Sequence, residues 1–322
     1  MSTSPISLNC RTAALVDALE ARLDDLGVRR VQSSRGRVFD FGVEASGGME
    51  AGVALARVCM ADLAHITVGS GGGFFDDDLS LPWIEVRTDH PVAACLASQY
   101  AGWAIQVDKY FAMGSGPMRA AYGGEELFAD IGGREETTRV VGVLETRTLP
   151  TAEVVEWIAK KSRVDADRVD LLVAPTASTA GGVQIVARSV ETALHKLHEI
   201  KFDLSRIVSG WGRAPLPPVA ANDLAAIGRT NDAMLYGATV WLWVRGDDES
   251  IEAVGPQVPS SASSDYGSTF SELFEHYDRD FYKIDPMLFS PARVVFQNID
   301  TGHTQMFGRT NDEVLRGSFF DR

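Results

Sequence analysis

Cysteine is scarce: Cys10, Cys59 and Cys95 are the only three in 322 residues, and no two form a C-x-x-C pair. That excludes a disulfide scaffold and a zinc knot, and it fits reduced thiols in a cytoplasm. No stretch approaches the roughly 18 unbroken apolar residues that a membrane span needs. The opening Met1-Ser-Thr-Ser-Pro5 lacks a basic-then-apolar leader, so the expectation is a cytoplasmic protein with no secretory signal and no membrane partner. Basic residues are outnumbered, 30 Lys and Arg against 44 Asp and Glu, for a formal net charge of −14. Without a Lys/Arg-rich run to meet a phosphate backbone, the sequence argues against nucleic acid as a partner.

Several catalytic signatures are also missing. There is no H-E-x-x-H, H-x-E or P-C-x-x-C for a zinc hydrolase or deaminase, no G-K-[ST] of a Walker loop, and no G-x-S-x-G elbow. The six histidines are dispersed; His195 and His198, at i, i+3, have the spacing of a metal pair, but none of these zinc signatures frames them. One acidic run, Asp76-Asp77-Asp78, follows Gly69-Ser-Gly-Gly-Gly73 and reads as a loop without the extra oxygen ligands of a hard-cation site. The expectation is no metal.

What is present is an ordinary globular balance, 45% hydrophobic and 23% charged, with length for a large core. Strand-like alternation at Trp83–Thr88, Arg139–Glu145, Asp170–Pro175, Val240–Val244 and Arg293–Asn298 is interspersed with helical periodicity at Thr12–Leu26, Glu50–Leu63, Pro91–Tyr100 and Thr151–Lys161. The last strand should pair with His303–Phe307 across Asp300-Thr-Gly302. The pattern predicts an α/β (α+β) fold in two domains, approximately 1–150 and 151–322. No Pro- or Ser-rich linker marks the boundary, which leaves room for intertwined halves.

Four segments carry candidate chemistry. Between Gln184 and His198, Val183, Val186, Ala187, Val190, Ala193, Leu194 and Leu197 recur at helical steps. Gln184, Arg188, Glu191 and His195 then share a polar stripe, with Arg188 and Glu191 as i, i+3 neighbours. The helix follows an apolar strand through a small-residue loop, where α/β proteins bind ligands; the plain alternative is a solvated ion pair. Phe111-Ala-Met-Gly-Ser-Gly-Pro117 reads as a turn whose free N–H groups could receive an anion, with Arg119 as charge partner. Gly228–Gly237 packs polar residues beside an apolar, strand-like stretch, and Pro259–Gly267 is a hydroxyl-rich loop with Ser260, Ser261 and Ser263.

Taken in order, these segments resemble the methenyltetrahydromethanopterin cyclohydrolases. The resemblance rests on Gly52 within Met49–Val53, Arg87-Thr-Asp-His-Pro91, Ser98-Gln-Tyr-Ala-Gly-Trp103, Lys109–Pro117 and Leu172-Val-Ala-Pro-Thr-Ala-Ser178. It continues through Val183-Gln184 with Arg188 and Glu191-Thr192, Gly228–Asp232 with Tyr236-Gly237, Pro259–Ser263 and Asp280-Phe-Tyr-Lys-Ile-Asp-Pro286. It implies reversible hydrolysis of the 5,10-methenyl bridge of tetrahydromethanopterin to the N5-formyl compound, with no metal or redox cofactor. It also implies a homotrimer of two-domain subunits that bind the pterin in an interdomain pocket. By this resemblance Glu191 is the general base and Arg188 positions the water, its positive charge favouring the carboxylate while burial opposes ionisation. Ser98, Gln99 and Tyr100 would form the wall around the reacting carbon. Gly114, Ser115 and Gly116, with Asn231 and Asp232, would hold the pterin or its tail. Two rivals stay open: a non-catalytic pterin-binding paralogue, and a cyclohydrolase for the folate analogue.

Overall fold

Alternating and buried apolar runs become twelve strands among the described residues of the computed structural model, which are 6–70, 81–280 and 283–320. In chain order they are β1 (Arg29–Val31), β2 (Arg37–Asp40), β3 (His65–Ser70), β4 (Pro82–Thr88), β5 (Trp103–Val107), β6 (Tyr110–Ser115), β7 (Val140–Glu145), β8 (Val169–Ala174), β9 (Ile207–Pro215), β10 (Thr239–Val244), β11 (Arg293–Asn298) and β12 (Thr304–Gly308). They form two six-stranded sheets, one in each of two compact units. The first unit comprises the chain up to Ala64 and Ala93–Gln184; the second comprises His65–Val92 and everything from Ile185 onward. The chain therefore passes between the units three times. Residues 65–92, N-terminal to a boundary near 150, lie in the second unit, and 151–184 lie in the first. The acidic run Asp76–Asp78, and Phe281 and Tyr282 of the Asp280–Pro286 segment, fall outside the described residues.

In the first unit the sheet order is β1-β2-β8-β7-β6-β5. Strands β2, β8 and β7 run parallel, and the outer pairs are antiparallel. A parallel centre must be covered on both faces, and β8 is buried at all six positions. Alternation sends Phe39, Val141, Val143 and Leu172 toward the helices Leu8–Leu19 and Met49–Cys59. Val38, Val140, Leu144, Leu171 and Val173 point to the other face, toward Ala152–Ser162. At the N-terminal ends of the parallel strands, Arg37 makes two hydrogen bonds to the buried Asp170, at 2.7 and 2.8 Å, and Arg139 adds a third at 2.7 Å. Gly52 lets the Met49–Cys59 and Thr179–Val186 helices touch: a Cβ there would lie 2.5 Å from the Val183 Cβ.

The second sheet runs β12-β11-β10-β9-β4-β3, with only β10 and β11 parallel. The expected β11–β12 hairpin is there, with Phe296 opposite Gln305. Among the described residues no helix is long and apolar enough to cross a membrane.

Candidate active site

The segment around Arg188 and Glu191 is two helices rather than one. Thr179–Val186 ends, Ala187 and Arg188 turn, and Ser189–Glu199 begins. Arg188 has φ −87° and ψ 9°, and its N–H reaches back only three residues, to the Ile185 carbonyl at 3.0 Å. Its own carbonyl then accepts both the N–H and the hydroxyl of Thr192, at 2.8 and 2.9 Å. The break divides the predicted stripe. Gln184 belongs to the first unit, where its side-chain amide lies 3.3 Å from the Cys59 thiol. Arg188, Glu191 and His195 stay together in the second.

Arg188 is thus the residue flanking the helix start, and Glu191 is in the first turn, buried. A carboxylate there is attracted by the positive end of the helix dipole. The apolar face, Val190, Ala193, Leu194 and Leu197, is fully buried, and β9 explains how closely it packs. A Cβ on Gly210 would come within 2.7 Å of the Val190 side chain, and one on Gly212 within 2.5 Å of the Ser189 hydroxyl. The sequence reading missed β9, although Gly210-Trp-Gly212 signals a strand that must admit a neighbour. It also missed Lys196, buried on the same helix, whose ammonium donates to the Met287 carbonyl. Burial pulls that lysine down to about 8, with Asp285 opposing. His195 and His198 approach Glu199 at 3.9 and 3.7 Å. Among the described residues no group of His, Cys, Asp and Glu could hold a metal ion.

In the first unit, Ser98 and Gln99 end a wide-turn helix, Val92–Gln99, closed by the Tyr100 N–H on the Cys95 carbonyl at 2.8 Å. Ser98 and Gln99 are buried and Tyr100 is half-buried. The Ser98 hydroxyl donates to the Cys59 carbonyl at 2.6 Å, and its carbonyl accepts the Gly116 N–H at 2.8 Å. The expected free anion loop is not free. Gly114 and Ser115 belong to β6, Ser115 is 3.3 Å from the Cys59 sulfur, and only Gly116 turns, with φ +88°. Arg119 is not an anion partner either: it is fully buried and paired with Glu125 at 2.9 and 2.6 Å.

Gly228–Gly237 is helical, not strand-like. The helix Asp223–Asp232 starts at Asn222, whose side chain accepts the Ala225 N–H at 3.0 Å, and continues into a wide turn, Ala233–Gly237. Asn231 donates to the Ile227 carbonyl at 2.9 Å. Asp232 is completely buried: one oxygen accepts the Phe270 N–H at 2.8 Å and the other the Ser318 hydroxyl at 2.6 Å. Loss of solvation pushes its carboxyl up to about 7, against the pull of both donors. In the hydroxyl-rich loop Ser260 donates to the Leu235 carbonyl and Ser263 to Asp285 at 2.7 Å, so both tie the loop down. Ser261 is exposed.

Comparison with known proteins gives a consistent picture. The family model described as Cyclohydrolase (MCH) matches residues 7–319. A methenyltetrahydromethanopterin cyclohydrolase of Rhodopirellula baltica is 48% identical over 88% of this chain and 86% of its own. Proteins of the same name from Xanthobacter autotrophicus and Methanosarcina barkeri are 44% and 42% identical, each over 98% of this chain, and over 93% and 98% of their own lengths.

Proposed function

Since the chain belongs to the methenyltetrahydromethanopterin cyclohydrolase family, we propose that it interconverts 5,10-methenyltetrahydromethanopterin plus water and the N5-formyl compound. The observation that carries the proposal is the match through residues 7–319, within which Arg188 and Glu191 open one helix.

The methenyl carbon belongs to an amidinium-like cation and is already electrophilic, so the reading includes no metal and no redox cofactor. Glu191 takes a proton from the attacking water as the carbon–oxygen bond forms. Arg188 holds that water, and in the reverse direction the formyl oxygen. The bond to the second nitrogen then breaks, that nitrogen is protonated, and one proton is released overall. Ser98, Gln99 and Tyr100 form the wall at the reacting carbon. Gly114, Ser115 and Gly116 seat that wall, Asn231 meets the pterin or its tail, and Asp232 supports the segment from inside the fold. The proposal takes the enzyme to be a cytoplasmic homotrimer.

The test is loss of the methenyl chromophore with purified protein, run in parallel on the tetrahydromethanopterin and the folate carriers. Bleaching of the first supports the proposal. Bleaching of only the folate compound points to the other carrier, and bleaching of neither points to a binding protein.

A further inference from the structure

Arg119 is the largest fully buried side chain among the described residues, and what surrounds it is the Ser98–Tyr100 segment. Its Nη1 donates to the carbonyls of Leu96 and Ser98, at 2.9 and 3.2 Å. These carbonyls lie in the last turn of the Val92–Gln99 helix, where backbone acceptors lack partners within the helix and a cation is favoured. The guanidinium carbon lies 5.0 Å from the centre of the Tyr100 ring and 5.5 Å from that of Phe128, within the range of cation–π attraction.

Glu125 fixes the plane of this guanidinium through two parallel hydrogen bonds, a fork that a lysine cannot reproduce. Gly102 makes room for the arrangement. A Cβ there would lie 2.1 Å from a Glu125 carboxylate oxygen and 2.5 Å from the Tyr100 ring. The Arg119 N–H also binds the Gly116 carbonyl at 3.1 Å, while the Gly116 N–H binds the Ser98 carbonyl. One residue therefore joins the helix end and the Tyr100 ring through its side chain and the Gly116 turn through its backbone N–H.

We propose that Arg119, oriented by Glu125, is a positioning residue for the cyclohydrolase reaction, setting the direction in which Ser98–Tyr100 face the substrate. This inference rests on the reading of Ser98–Tyr100 as the wall at the reacting carbon. A displacement of the order of 1 Å in such a wall costs about 10²-fold in rate.

The experiment compares E125Q, R119K, Y100L and the E125Q/Y100L double variant in kcat, KM and melting temperature. E125Q keeps the shape of Glu125 and one hydrogen bond, so it stays informative where R119K does not fold. The expected result is a fall in kcat of roughly 10- to 100-fold in E125Q, read well below its melting temperature and with KM within a few-fold, while the melting temperature itself falls because a fully buried guanidinium loses its paired charge. The double variant should lose no more than Y100L alone. If Y100L turns over normally, the wall assignment fails and takes the inference with it. If Y100L is impaired while E125Q is normal, or if the two losses multiply, the wall stands and the role of Arg119 is overturned.

Discussion

The Arg188 carbonyl accepts two hydrogen bonds from Thr192, one from its N–H and one from its hydroxyl. That double anchor ends one helix and starts the next, and it places Arg188 and Glu191 on either side of a single first turn. The positions from which the two side chains set out are fixed by that turn of backbone.

Glu191→Gln keeps shape and hydrogen bonding but cannot take a proton. Removal of one general base lowers rates by about 10²–10⁴-fold, and that loss is expected in kcat in the methenyl absorbance assay. Wild-type turnover by the purified variant would falsify the base assignment.

Arg188→Lys keeps the charge and loses the planar, multi-donor fork. A drop in kcat of about 10-fold or more is expected, by analogy with lost oriented donors in other active sites. Full activity in this variant would mean that charge alone suffices and that no water is being oriented.

Gly212→Ala tests the seat of the Glu191 helix. The added methyl group meets Ser189 and Val190, and overpacking of this kind costs typically about 1–3 kcal/mol. Urea titration should show the lower stability, and the displaced helix should also lower kcat. An unchanged midpoint would show that the helix has slack against β9.

Asp232 makes stability depend on pH. Its carboxyl titrates near 3.8 ordinarily and near 7 in the fold, so the folded state binds more protons than the unfolded one between those values. The stability this group contributes is complete below the unfolded value and is lost as pH rises through about 7. From pH 5 to pH 7 the wild type should therefore lose ground to Asp232→Asn, by on the order of 1.4 kcal/mol per pH unit. Denaturant titrations at several pH values check this, and parallel profiles would count against it.

Much of the fold was legible because its signals are local. β8 reads as buried since Val169–Ala174 is apolar but for Asp170, and Gly47-Gly48 announces the Met49–Cys59 helix. The break at Ala187–Arg188 was not legible: no Gly or Pro marks it, and the apolar period runs on through Val186, Ala187 and Val190. The strand-like reading of Gly228–Gly237 overlooked Asn222-Asp223, a helix-start signal lying upstream. Arg119 was visible as a cation near a glycine turn. Its partner Glu125 and its seat under Tyr100 are tertiary facts, with no trace in the spacing of residues.

The two-stretch construction of the second unit bears on synthesis. β4 needs β9 along one whole edge, Trp83 opposite Pro215 through Thr88 opposite Gly210, yet more than a hundred residues separate them in the chain. At roughly 5–20 residues per second on a ribosome, Trp83, Ile84 and Val86 wait about 6–24 s for that partner. An unpaired apolar edge invites association with another chain in that interval. Nascent chains arrested before Ile207 should therefore be cut by protease within residues 82–88, while those released at full length are protected there.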